Sequence, residues 1–323
     1  MHAAVMIGIA IMVASALHFS LPVGVHSWHW LHLLAQKIYL LPVLMAAAWF
    51  GLKGTLLCSC LVTLVFAFHI FRDWRGYEMV QADQLADVVN LWIVALLSSI
   101  LFGRIHQTVK ALARARDATL AGLAASLDLR EHGTSQHSRR VQAYALILAE
   151  RVGTLDESGR RSLAIGALLH DIGKIGVPDA IILKPGALTA AERREMRRHP
   201  ELGAQLVERL DSLAQAREVI LCHHERFDGT GYPRGLAGSM IPLPARIFAV
   251  VDAFDALTSD RPYQRAASYT EAAGRIAMDW DRAFDPLVVD AFFRVPFEEW
   301  ARAGREYGVE LAEVDLGPES LRP

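Results

Sequence analysis

The chain has 323 residues, room for two ordinary domains, and is 53% hydrophobic but only 21% charged. The charge is unevenly placed: residues 1–71 carry only Lys37 and Lys53, and most other charged residues lie beyond Gly103. That split excludes an evenly solvated single globule and a charge-rich disordered chain. A net charge of -2 and three scattered cysteines exclude a basic surface for a nucleic acid polymer and a disulfide scaffold.

Uncharged apolar runs open the chain at 3–19, 38–52, 54–71 and 88–103. Each is near the short end of the roughly 17–25 residues a spanning helix needs. Residues 1–103 are therefore expected to form a helical membrane bundle of about four spans, an anchor or sensor. Trp28, Trp30, Tyr39, Trp49, Trp74 and Tyr77 fall near the run ends, where amphipathic rings settle at headgroup level. Ala14-Ser15-Ala16 is similar to a leader cleavage site, but no Lys or Arg precedes the first run, which favours a retained span. An even number of spans puts both termini on one side. Arg104, Lys110, Arg114 and Arg116 follow the last run, so that side is expected to be cytoplasmic. His18, His26, His29 and His32 lie around the first loop with no neighbouring Cys or carboxylate, and no ligand is assigned to them.

Residues 104–129 are rich in Ala, Leu, Arg and Lys and contain no Pro, which predicts a linker helix continuous with the last run. Ile105, Val109, Leu112, Ala115, Thr119, Gly122 and Ala125 or Ser126 recur at steps of three and four. Such a stripe suits either a homodimer paired through the linker or packing on the chain's own domain.

From 130 to 323 the apolar positions keep a helical period broken by Gly and Pro turns, with no alternating strand runs, so an all-α domain is expected. Three times in it, an apolar run delivers residues of metal-ligand type. The run 165–169 ends at His170-Asp171, with Lys174 three residues on. A buried carboxylate there needs a counter-charge, and neutral nitrogen mixed with hard oxygen suits a divalent Fe, Mn, Zn, Co or Ni ion. The run 219–222 ends at His223-His224, whose side chains would point about 100° apart on a helix and so could serve two neighbouring ions. Asp252 follows the run 247–251.

Taken in order, these residues resemble the HD-GYP family of bacterial metal-dependent phosphodiesterases, within the HD superfamily. The matching motifs cover about residues 130–292. They are Thr134 with His137-Ser138, Leu168 to Ile175 around His170-Asp171, Lys184-Pro185-Gly186, His199-Pro200 and His223-His224-Glu225-Arg226. They continue through Asp228-Gly229-Thr230-Gly231-Tyr232-Pro233, Val251-Asp252-Ala253-Phe254-Asp255, Arg261-Pro262-Tyr263 and Phe284-Asp285-Pro286.

The resemblance implies an all-helical HD-GYP domain at the bacterial inner membrane. The implied activity is hydrolysis of cyclic di-GMP to linear pGpG, with GMP as the alternative final product. It also implies two divalent cations, Fe or Mn, held by His137, His170, Asp171, His199, His223, His224 and Asp252, with Asp171 bridging. His170, Asp171 and Lys174 would form the catalytic set, and Lys174 and Arg261 would grip phosphate oxygens. Gly231, Tyr232 and Pro233 would confer cyclic-dinucleotide specificity. Paired cations suit this chemistry because they neutralise phosphoryl oxygens and acidify water.

Other readings are a low-turnover receptor for the dinucleotide or a protein partner, and a hydrolase for another cyclic dinucleotide. The complete ligand set favours the enzyme, and the intact Gly-Tyr-Pro favours the substrate class. Two positions depart from the family pattern. Gly133 stands where some members place a Glu that serves a third metal, so two ions are expected. Gln264 stands where many carry Arg or Lys, which should weaken ligand binding unless Arg265 substitutes. Glu225 reads equally as a partner orienting His223 or His224 and as a solvated charge.

Overall fold

The computed structural model describes residues 2–20, 29–73, 78–132, 136–210, 213–260 and 265–313. Among these the chain is helical, as expected, with no strand and two isolated bridges, Asp228–Ala237 and Trp280–Phe284. It divides into two compact units, Met1–Ala115 and Arg116–Pro323.

The first unit contains α1 (His2–Ser20), α2 (His29–Lys37), α3 (Leu40–Asp73) and the first part of α4 (Glu78–His132). Three helical stretches are long and apolar enough to cross a membrane: His2–Ser20, Leu34–His69 and Leu85–Arg130. The runs 38–52 and 54–71 both fall in the second stretch, where Gly51 divides α3 into two helical arms, so the four apolar runs remain four helical segments. Gly51 interrupts that helix at φ 60° and ψ -154°, a conformation open at low cost only to glycine. The chain doubles back there. The Tyr39 and Phe66 rings are 5.2 Å apart, whereas a straight helix would separate those positions by about 40 Å. Tyr39, Val43, Ala46, Cys58, Val62 and Phe66 share one buried cluster with Ala14, Leu91 and Ala95. Large apolar side chains cover the outside, with Leu57 66% and Leu64 65% exposed. That is the reverse of a water-solvated helix bundle.

The second unit begins with the last turns of α4. Leu120, Ala124 and Leu127 there share a buried cluster with Ile165, Leu168, Leu169 and Ile172. This is not the stripe marked by its three- and four-residue spacing: Ile105, Val109, Leu112, Thr119 and Gly122 remain exposed. After α4 come α5 (His137–Val152) and α6 (Glu157–Leu169), then a 3-10 turn (Ile172–Gly176). The chain goes on through α7 (Asp179–Ile182), α8 (Ala190–Met196), α9 (His199–Glu208) and α10 (Arg217–Cys222). It ends with α11 (Leu243–Thr258), α12 (Tyr269–Met278), α13 (Pro286–Phe293) and α14 (Phe297–Glu306).

Several starts carry local signals. Asp156 caps α6 by accepting from Gly159 N, while Thr189–Glu192 and Ser268–Glu271 form capping boxes on α8 and α12. The core joins Tyr144, Leu148, Phe248, Phe254, Phe292 and Trp300, all fully buried. Each large apolar side chain so buried contributes roughly 1.5–3 kcal/mol. The polar helix ends around this core are thereby held in place.

Candidate metal centre

The ligand-type residues sit where helices start or stop, so their side chains project beyond apolar shafts. His137 opens α5 and His199 opens α9. His170-Asp171 follow α6 and His223-His224 follow α10, whereas Asp252 lies within α11. His137, His170 and Asp252 bring one ligand atom each to within 4.8 Å of one another, and His199, His223 and His224 do the same, so the adjacent His223 and His224 share one group instead of serving two ions. Asp171 reaches toward both groups. Its Oδ2 is 3.0 Å from His170 Nε2, and its Oδ1 is 3.3 Å from His199 Nε2 and 4.0 Å from His223 Nε2.

Hydrogen bonding assigns the imidazole tautomers. His170, His199 and His223 each place Nδ1 2.6–2.9 Å from a backbone carbonyl three residues earlier, on Ala167, Met196 and Ile220. A carbonyl only accepts, so each Nδ1 carries the proton and Nε2 presents a lone pair when the ring is neutral. His137 has the same arrangement, with Nδ1 donating to Asp255 Oδ2 at 2.8 Å. The Nε2 atoms of His199 and His223 lie 3.1 Å apart. Two lone pairs that close repel unless a positive centre lies between them, so the donor set fits a cation.

Electrostatics hold three of the buried rings neutral and favour a proton on His170. Burial, reinforced by neighbouring imidazoles, pushes His223 well below its usual pKa and His224 to about 3, and burial also lowers His199. These rings are neutral and able to ligate. Burial opposes a proton on His170 as well, but the Asp171 carboxylate outweighs it and lifts the pKa to about 9. Burial would raise Asp171, yet His170 and Lys174 hold it well below the ordinary carboxylate range. Lys174 Nζ is 2.8 Å from Asp171 Oδ2, so it stands at the edge of the cluster.

Among the residues expected to bind substrate, Tyr232 stacks on His224 with ring centroids 4.7 Å apart. Burial raises its phenol to about 12. Gly231 lies against the Glu225–Arg226 backbone, where a Cβ would approach Arg226 N to 2.3 Å. Pro233 follows in the same turn, and Arg265 is solvent-exposed. Arg261, Gln264 and Gly133 lie outside the described residues.

Both readings of Glu225 are corrected. It is buried, and its carboxylate accepts from Arg234 N at 2.7 Å and Leu236 N at 3.0 Å, so it shapes the loop after Tyr232. Sequence reasoning also passed over three residues. Asp255, one helical turn beyond Asp252, orients His137 and is bound in turn by Arg140. The Asp255 carboxylate is held below its usual range although burial opposes this, because His137 and Arg140 bind it. The guanidinium of Arg197 lies 4.9 Å from the Tyr232 ring centroid. In the sequence Asp255 was visible as the last residue of the Val251-Asp252-Ala253-Phe254-Asp255 motif, with no role assigned to it.

Residues 123–288 match the HD domain family. The chain is 44% identical over 178 residues to the cyclic di-GMP phosphodiesterase response regulator RpfG of Xanthomonas campestris, covering 54% of this chain and 47% of that protein. It is 38% identical over 242 residues to a cyclic di-GMP phosphodiesterase of Pseudomonas aeruginosa, covering 75% and 53%. A 3'3'-cGAMP-specific phosphodiesterase of Vibrio cholerae is 38% identical over 160 residues, covering 50% and 35%. The chain thus spans about half the length, or less, of these curated relatives. With its paired His-Asp motif, the two histidine groups around Asp171 and the Gly-Tyr-Pro turn beside His224, this chain belongs to the HD domain family, in its HD-GYP branch.

Proposed function

We propose that this chain is a membrane-anchored phosphodiesterase that hydrolyses cyclic di-GMP with two divalent cations, Fe or Mn. The observation that carries the reading is Asp171, whose two oxygens face two separate three-residue groups of ligand atoms. The named activities of the relatives support it. His137, His170 and Asp252 would hold one cation, His199, His223 and His224 the other, and Asp171 both. Bound there, the cations supply neutralising charge for phosphoryl oxygens and lower the pKa of water toward 7.

The chain's own residues do the rest. Asp255 fixes the His137 tautomer, and Tyr232 keeps the His224 ring in plane by stacking. Lys174 supplies a point charge for one phosphate oxygen and Arg261 a forked contact for another, with Arg265 the cation nearest to it in sequence. The product is linear pGpG, with GMP after a second cleavage.

The test uses the full-length chain extracted from membranes in detergent and loaded with Fe(II) or Mn(II). Elemental analysis is expected to approach two ions per chain, and cyclic di-GMP to be opened faster than 3'3'-cGAMP. Two ions without turnover of either would make the protein a receptor, and faster cleavage of cGAMP would reassign the substrate. A single ion at saturation would remove the bridging role of Asp171.

The apolar helices and the basic residues after position 103 support multi-pass anchoring with the catalytic unit in the cytoplasm. Reporter fusions at Arg116 should be active only as cytoplasmic reporters; activity confined to the periplasm would invert the topology. We assign the exposed Ile105, Val109 and Leu112 to pairing of two linkers. A Leu112→Cys variant lacking the native cysteines should cross-link in membranes, and failure to do so would remove the dimer.

A further inference from the structure

Lys174 is held from outside its own turn. Arg130, in the last turn of α4, donates from Nη1 to Lys174 O at 3.1 Å and from Nη2 to Val177 O at 3.1 Å. Its Nε donates to Asp179 Oδ1 at 2.8 Å, and Nη2 binds the same carboxylate. A planar guanidinium offers five donors in a fixed fork. Here that fork spans the carbonyl of Lys174 itself, the residue just past the 3-10 turn and the first residue of α7. Two residues earlier on α4, buried Asp128 accepts from Ser138 N at 3.1 Å and from Ser138 Oγ at 2.8 Å. Gln136, which precedes His137 at the start of α5, provides no side-chain cap, so Asp128 does that work from another helix. One turn of α4 therefore grips the backbone beside His137 and beside Lys174.

We propose that Arg130 is a positioning residue for Lys174: it pins the 172–176 turn so that the ammonium stays 2.8 Å from Asp171 at the rim of the cluster. Arginine is required because only its fork reaches two carbonyls and a carboxylate together. A lysine at 130 could keep one of these bonds as a point charge. The kinetic consequence rests on the reading of Lys174 as a phosphate contact; the geometric consequence does not.

The experiment compares the full-length wild type with Arg130→Met, Arg130→Lys, Lys174→Ala and the Arg130→Met/Lys174→Ala double variant. The first readout is the rate of Lys174 acetylation by limiting acetic anhydride, followed by peptide mass spectrometry with Lys184 in the same molecule as reference. Arg130→Met should raise the Lys174 rate relative to Lys184 by about threefold or more, and Arg130→Lys by less, because releasing the turn loosens the Asp171 pair. The second readout is cyclic di-GMP hydrolysis. Arg130→Met should raise KM by about tenfold, one decade being 1.4 kcal/mol, with metal content unchanged. Lys174→Ala should do the same, and the double variant should add little more, as coupled residues do.

Unchanged Lys174 acetylation in a folded Arg130 variant overturns the proposal whatever the substrate. So does a double variant whose losses are additive. If Arg130→Met does not fold, Arg130→Lys carries the same two readouts. Faster acetylation in a protein that does not cleave cyclic di-GMP at all would uphold the positioning role while removing the proposed function.

Discussion

Asp171→Asn is expected to abolish phosphodiester hydrolysis while the fold persists. The wild-type carboxylate meets His170 and Lys174 through Oδ2, and His199 through Oδ1. Asparagine has nearly the same shape but no charge, and one of its two terminal atoms is a donor, so it cannot offer an oxygen to both groups. Loss of a residue that merely orients a metal ligand costs about 10–100-fold in affinity or activity. Loss of the shared ligand should cost at least about 100-fold in kcat by the same comparison. Elemental analysis of the variant should show fewer ions than wild type under identical loading. The loss should also be specific to the centre, because Asp171 lies outside the apolar core that joins Tyr144, Phe254 and Trp300. Activity within a few-fold of wild type, with metal content intact, would remove Asp171 from the centre and with it the two-cation reading.

Gly173→Ala should be more damaging to stability. The 3-10 turn that carries Gly173 runs so close to the start of α9 that a Cβ there would lie 1.9 Å from His199 O and 2.4 Å from Gly203 N. Both obstacles are backbone, so no rotamer change relieves them and the turn must separate from α9. Overpacking typically costs 1–3 kcal/mol, and a backbone collision belongs at the upper end, about 3 kcal/mol. At roughly 2–4 °C per kcal/mol for a unit of this size, the second unit should melt roughly 6–12 °C lower. The separation also pulls Asp171 away from His199, now 3.3 Å apart. Activity should therefore fall sharply even at temperatures where the variant is folded. Thermal unfolding and steady-state rates on one preparation check both. A melting point within about 2 °C of wild type would mean that α9 yields without cost, which the close packing argues against.

What the order of residues determined by itself was local or periodic. Charge segregation separated an apolar N-terminal region from a charged helical one, and the helical period with its Gly and Pro punctuation predicted an all-α chain. The junctions of apolar runs with His170-Asp171 and His223-His224 were legible because a polar pair at the end of a buried helix is visible within a few residues, and Asp252 because it follows the apolar run 247–251 inside α11. Tertiary structure decided everything that depends on partners distant in sequence. Asp255 orients His137 across 118 residues of chain, a pairing no local pattern carries. Glu225 looked equally like a ligand partner or a surface charge until the loop after Tyr232 closed over it.

The two apolar runs either side of Gly51 were legible as separate segments, but their folding back on each other follows from one glycine at φ 60°, which hydropathy does not register. In the linker, three- and four-residue spacing marked one apolar stripe. The face that packs on Ile165 and Leu168 instead carries Leu120, Ala124 and Leu127, because a long helix can present several apolar stripes and only the neighbouring elements choose which is buried. Asp171 shows the division most sharply. Its residue type and place at a helix end were evident from the chain, but that its two oxygens face two groups of histidines follows from four helix termini being packed around one carboxylate.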